Sequence, residues 1–247
     1  MKIKVEDPGN FASGDLRKYR IFRRFFRPDW SKFVELFRLG IPIGVTMLFE
    51  AALFNASTLL MGTFGTVSVA AHQVAINVPS ITFMVPLGIA LAATVRVGLA
   101  AGAGDMTGAR RAGVTAIAIG VGFMSTTAVI LALFPHQIAA LYFAADNAAN
   151  ADVLALTARF LKIAAAFQVF DAIQVISSMS LRGLKDARMP MWIAGAAYWL
   201  VGFPLCLGLG VGLHWQGIGV WTGLAFALMA AAILLSWRFV YLSRQRT

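Results

Sequence analysis

Glu50 and Asp171 are the residues with the most chemistry within reach, because each is an acid set in a long apolar stretch. Glu50 lies midway along IPIGVTMLFEAALFNASTLLMG, and Thr46, Phe54 and Ser57 recur at helical spacing from it. Asp171 lies in QVFDAIQ, with Gln168, Gln174 and Ser178 on the same helical face. A third stripe, Gln73, Asn77 and Ser80, borders Phe83 and is loosened by Pro79 and Pro86. A carboxylate at the centre of a bilayer costs about 2.5–3.5 kcal/mol on insertion scales. The sequence places no lysine or arginine at matching depth, since Lys162 is more than two turns outward of Asp171 and can snorkel to the interface. A buried acid without a cationic partner takes up a proton or recruits a cation. The plainer reading, in which polar side chains merely glue helices together, suits Asn77, Gln168 and Gln174 as well as any site does. It suits the two acids poorly.

Other patterns carry less. Gly102-Ala103-Gly104-Asp105 matches the GxGD string of intramembrane aspartyl proteases, but it falls in a basic connection and Asp171 follows Phe170 where those enzymes carry tyrosine. His72, His136 and His214 are scattered, without metal-ligand spacing. No P-loop or nucleophile elbow occurs, so an enzyme is not expected. The glycines at 195, 202, 208, 210 and 212 read as a helix-packing surface.

The elements that must hold these residues are membrane spans. The chain is 59% hydrophobic and only 13% charged, with a mean hydropathy of +0.76. Soluble domains carry about a quarter charged residues. No Asp, Glu, Lys or Arg occurs in residues 51–95, 112–145 or 189–237, and a span needs about 20 apolar residues. The fold class is therefore an all-α membrane protein. Six spans are expected at residues 41–62, 68–95, 112–134, 160–181, 190–211 and 217–237. Turns join them at 62–65, 98–108, 182–190 and 210–217, and a polar link with a short surface helix covers 135–157. Three regions follow: a basic arm over 1–39 ending in an interfacial helix at 30–39, a six-helix lobe over 40–238, and a tail over 239–247.

With six spans, all of the 21 Lys and Arg except Arg159 and Lys162 gather on one side. Both termini are then cytoplasmic by the positive-inside rule, in a multi-pass protein of the plasma (inner) membrane. The net charge of +10 does not point to nucleic acid, because the basic residues end apolar runs rather than line a soluble face. The N-terminal stretch lacks the apolar region of a signal peptide. Cys206, the single cysteine, forms no internal disulfide.

The strings LFRLGIPIG, VAAHQVAINVPSITFMVPLGIA, TVRVGLAAGAGD, QVFDAIQ and LRGLKDARMP, in this order, resemble the multidrug and toxic compound extrusion (MATE) family. The resemblance is to the carboxy-terminal six-helix lobe of its bacterial members and runs from about Phe25 to the end. It implies one lobe of a two-lobe transporter that exchanges organic cations for protons or sodium ions, with no further cofactor. It also implies that Glu50 and Asp171 bind the coupling cation. Phe83 would then offer a cation–π face, and Thr46, Phe54, Asn77, Phe167, Gln168 and Gln174 would line the cavity. Phe167 stands where some relatives have tyrosine, which removes a hydroxyl oxygen and weighs toward proton coupling. Family members have twelve helices, so the expected partners are membrane lipid, organic cations, and an amino-terminal lobe or a second copy. Two rival readings are a lipid-headgroup flippase and a remnant or interaction protein without transport. The topology has its own test. Cysteines placed in the 135–157 link are expected to react with an impermeant thiol reagent added outside intact cells, and a cysteine at Lys185 is not.

Overall fold

The structure is a computed structural model that describes residues 29–143 and 150–245. The arm over residues 1–28, part of the 135–157 link and the last two residues lie outside them. The chain divides into two compact units, residues 1–40 and 41–247. In the first, the described residues open the first helix. Trp30 meets Phe33 edge-on at 5.6 Å, Phe33 meets Phe37 at 4.6 Å, and Lys32 pairs with Glu35 at 3.2 Å.

All the described elements are helices: α1 (Trp30–Gly62), α2 (Thr66–Gly102), α3 (Met106–Leu133), the short α4 (Pro135–Ala140), α5 (Ala151–Gly183), α6 (Arg188–Gly212) and α7 (Gln216–Gln245). Six of them are long and apolar enough to cross a membrane. Hydrocarbon offers no water, so each backbone group must find its partner within its own segment. Many of the hydroxyls follow the same rule. Thr46, Ser57, Thr58, Thr126, Thr157 and Thr222 each donate to the carbonyl four residues earlier, at 2.7–3.0 Å.

The spans run longer than expected at several ends. The interfacial helix expected at 30–39 and the span expected from 41 form one helix, with the buried Pro42 inside it. The glycine-rich turn expected at 98–108 is helical as far as Gly102, because Gly98 lies against the backbone of Gly183 and keeps α2 packed on α5. The tail expected from 239 stays helical to Gln245, and Phe239 is fully buried over Gly113. Tight turns join the rest. Gly65 opens α2 at φ 101° and Gly104 sits between α2 and α3 at φ 79°, both conformations that favour glycine. Asp105 Oδ1 accepts from the Gly108 N–H at 2.7 Å, so the acid of the GxGD string is the N-cap of α3.

α5 and α7 are the inner helices. Of their most apolar stretches 50% and 56% are buried, against 22% in α2 and α3. α5 packs on α2, α3 and α7. Leu59, Ile81, Leu91, Leu99 and Leu200 are exposed on the outer spans, as side chains facing lipid are. Asp186 in the α5–α6 turn pairs with Arg238 of α7 at 3.0 Å and ties the ends of these helices together.

α6 is irregular. Its α-helical parts, Arg188–Gly195 and Phe203–Leu207, alternate with π-helical turns at Ala196–Gly202 and Gly208–Gly212. The glycines expected to form its packing surface divide in role. Gly202 packs on Ala227 and Gly210 on Val220, while Gly208 meets nothing within 4 Å. The closest approach comes from the other side, where glycines of α7 admit the α6 backbone. A Cβ at Gly219 would lie 2.5 Å from the Leu209 carbonyl carbon, and one at Gly223 would lie 2.6 Å from Cys206 N. Gly219→Ala is therefore expected to cost about 1–3 kcal/mol by overpacking, read as a lower thermal-unfolding midpoint in detergent. Gly122→Ala, whose Cβ would meet nothing within 4 Å among the described residues, is expected to leave the midpoint unchanged or higher.

Candidate functional site

A cavity of about 200 Å³ opens between α1, α2 and α5, lined by Glu50, Phe54, Ile76, Pro79, Ser80, Phe83, Phe167 and Asp171. Three helices supply it because each brings a polar or aromatic stripe to the same depth. Glu50 and Phe54 are one turn apart on α1, and Phe167 and Asp171 are one turn apart on α5. Pro79, Ser80 and Phe83 line it from α2, where Pro79 has no N–H to donate. The two carboxylates are half-buried and interact electrostatically. Three phenyl rings surround them.

Four residues expected on the cavity wall lie elsewhere. Thr46 is buried with its hydroxyl on the Pro42 carbonyl at 2.8 Å, so its oxygen is already committed. Asn77 is exposed on α2, one residue from the lining position Ile76 and turned about 100° from it. Gln168 is fully buried between helices, where its amide donates to the Met124 carbonyl and accepts from Thr82, both at 3.4 Å. Gln174 is buried and donates to the Tyr198 hydroxyl at 2.8 Å. A shared helical face established which residues look one way, and the neighbouring helix decided what they met.

Three residues of consequence went unread in the sequence. Arg182, expected in a connection, closes the last turn of α5 half-buried, and its charge interacts with that of Glu50. Among the described residues neither acid forms an ion pair, so this longer-range interaction is what modifies the expectation that no lysine or arginine stands at matching depth. Extending the Asp171, Gln174, Ser178 stripe by one turn would have found it. Tyr198 sits in the first π-helical turn of α6, fully buried and within electrostatic reach of both carboxylates. Trp221 of α7 is fully buried and backs the cavity wall. It stacks on Phe167 at 5.5 Å and on Phe160 at 5.6 Å, and meets the His72 ring edge-on at 5.6 Å. His72 Nε2 lies 3.1 Å from Thr58 Oγ1, which makes it a packed core histidine. Among the described residues no three His, Cys, Asp or Glu side chains converge as a metal site would require.

Paired acids and phenyl rings around a cavity inside a six-span bundle define a polytopic membrane protein built around a polar site. The MatE family profile matches residues 42–207, and the chain belongs to that family. It is 47% identical over 231 residues to the probable multidrug resistance protein NorM of Rhizobium meliloti (strain 1021), covering 94% of this chain and 50% of that one. It is 44% identical over 222 residues to the multidrug resistance protein NorM of Burkholderia vietnamiensis, covering 90% and 48%. Among solved structures it resembles an outward-facing multidrug resistance MATE family transporter of the MOP superfamily, with a TM-score of 0.81 at 19% identity over 91% of this chain and 49% of that one. It also resembles the eukaryotic MATE transporter AtDTX14, with a TM-score of 0.77 at 23% identity over 88% and 49%. At these identities the likeness to the structures is one of fold. The chain spans about half the length of the curated relatives it matches.

The ring behind the wall can be tested directly. Trp221→Ala is expected to cost about 3–5 kcal/mol, the usual range for emptying a buried aromatic site. Trp221→Phe, which keeps a ring against Phe167, is expected to cost clearly less when thermal unfolding of the two variants is compared.

Proposed function

We propose that this chain is the carboxy-terminal lobe of a cation-coupled multidrug efflux antiporter of the plasma membrane, with both termini cytoplasmic. The observation that carries the reading is one cavity shared by Glu50, Asp171 and the rings of Phe54, Phe83 and Phe167. An organic cation finds there the two things it binds best without water, negative charge and aromatic faces. Protons or sodium ions compete for the same carboxylates, so loading one cation expels the other. Each inward unit charge releases about 2.3 kcal/mol per 100 mV of membrane potential, enough to drive export against a gradient. The acidic lining fits a cationic substrate and not an anionic lipid headgroup.

The cavity also supports the reading of a half. Pockets for drug-sized ligands hold about 300–1,000 Å³, and about 200 Å³ is present here. A facing amino-terminal lobe, or a second copy, would supply the remaining wall and would cover polar groups that lipid cannot satisfy. The match to half of each relative is consistent with this arrangement.

Reconstitution in liposomes under an imposed proton or sodium gradient tests the function. The chain co-expressed with an amino-terminal lobe is expected to exchange a fluorescent organic cation, and the chain alone is not. Glu50→Gln or Asp171→Asn is expected to reduce exchange to that of empty liposomes, and exchange that survives both would remove the carboxylates from the mechanism. Phe167→Tyr, which returns a hydroxyl oxygen to the cavity wall, is expected to increase the dependence of exchange on sodium.

A further inference from the structure

On α5 the residues Asp171, Gln174, Ser178 and Arg182 fall within about 80° of one another around the helix, at axial steps of roughly 4.5, 6 and 6 Å. The stripe leads from the acidic cavity to the Gly183 end of the helix. Its middle members are buried, Gln174 at 2% and Ser178 at 3% exposure. Gln174 gives its amide nitrogen to the Tyr198 hydroxyl, while Gln174 Oε1 and Ser178 Oγ meet no donor or acceptor among the described residues. Turning the amide over changes which end is bonded and still leaves one end free. Ser178 shares this state with Ser177 and Ser180 of α5, and differs from hydroxyls such as Ser57 and Thr222, which return to the carbonyl four residues back. At the far end Arg182 donates to Met179 Sδ at 3.3 Å, which turns its guanidinium back along α5.

We propose that this stripe, closed on one side by Tyr198, is a built site for a single file of water molecules joining the acidic cavity to the Gly183 end of α5. Two hydrogen bonds of about 2.8 Å meeting at a water's tetrahedral angle span about 4.6 Å, so side chains rising in steps of roughly 4.5–6 Å along the helix leave room for one water between successive groups. A buried water is held where two to four polar groups can reach it, and Gln174 Oε1, Ser178 Oγ and the neighbouring phenol and guanidinium are such groups. Water is the occupant, because a fixed guanidinium at the end of the file repels sodium ions and organic cations. The file would keep Asp171 hydrated from behind while a bulky cation fills the cavity in front, and would give its proton a path that the cation does not block. The inference concerns the same carboxylates as the antiporter reading but does not need that reading to hold, and its test measures hydration, not transport.

Hydroxyl-radical footprinting of the full chain in lipid nanodiscs provides the test, since buried side chains beside ordered water are oxidised faster than dry ones. Met179 borders the stripe, while Met61 and Met124 are fully buried elsewhere and offer the same thioether chemistry. Met179 is expected to be oxidised several-fold faster than Met61 and Met124. Ser178→Val, which removes the hydroxyl, is expected to slow Met179 and Tyr198 together. Ser178→Thr, which has the same shape as valine and keeps the hydroxyl, is expected to preserve both rates. Equal rates at the three methionines in the unaltered chain, or rates at Met179 and Tyr198 indifferent to Ser178→Val, would overturn the proposal. Should Ser178→Val loosen the fold, seen as faster oxidation of Met61, the comparison of methionines in the unaltered chain decides alone.

Discussion

A carboxylate in hydrocarbon has no solvent to fall back on, and this lobe places two of them at one depth. The cost of a lone charge there makes every neighbouring choice consequential. α1, α2 and α5 turn their acids and phenyl rings toward one another and leave Leu59, Ile81 and Leu91 to the lipid. α5 becomes an inner helix because it carries Asp171 and a line of buried polar residues that lipid would not tolerate. α7, with no acid or base before Arg238, becomes its inner partner by apolar fit. Many hydroxyls outside this zone, such as Ser57, Thr126 and Thr222, satisfy themselves on their own helix.

How much of this could be read from the sequence follows the same energetics. Six apolar runs declare six spans because nothing but a helix is stable there, and an acid within such a run is conspicuous for the same reason. The inner stretches of the spans were therefore legible and their ends were not. Helix continues through Gly98 and past Pro42 because packing and the absence of water outweigh local propensity. Helical spacing grouped Asp171 with Gln174 and Ser178 correctly, but it carries no information on the facing helix. Gln174 met a phenol, Gln168 met a backbone carbonyl, and Asn77 met the outside. Tyr198 and Trp221 act across the lobe from α6 and α7, about 27 and 50 residues along the chain from Asp171. No local pattern announces a partnership of that kind.

The aromatic stack has a complementary part in the design. Phe160, Trp221 and Phe167 form a continuous rigid layer between the α5–α7 core and the cavity. One face of Phe167 belongs to the packed interior and the other to the site. Cavity shape is thus inherited from the core, and a change that reaches the cavity from behind must first disturb some of the best-packed side chains of the lobe. Where Glu50 and Asp171 supply charge, this layer supplies permanence.

The π-helical turns of α6 have a consequence for heredity. A wider turn holds more residues over the same rise than an α-turn does, so Ala196–Gly202 behaves as an extra residue absorbed inside a span instead of in a loop. Insertions in membrane helices ordinarily rotate everything downstream by about 100° and ruin the lipid-facing pattern. Here the added residue is confined to a local widening, and Tyr198 is carried on that widening toward the acids. A lineage could therefore gain or lose a polar group beside the cavity through a single-codon insertion or deletion, with the two ends of α6 left in their places.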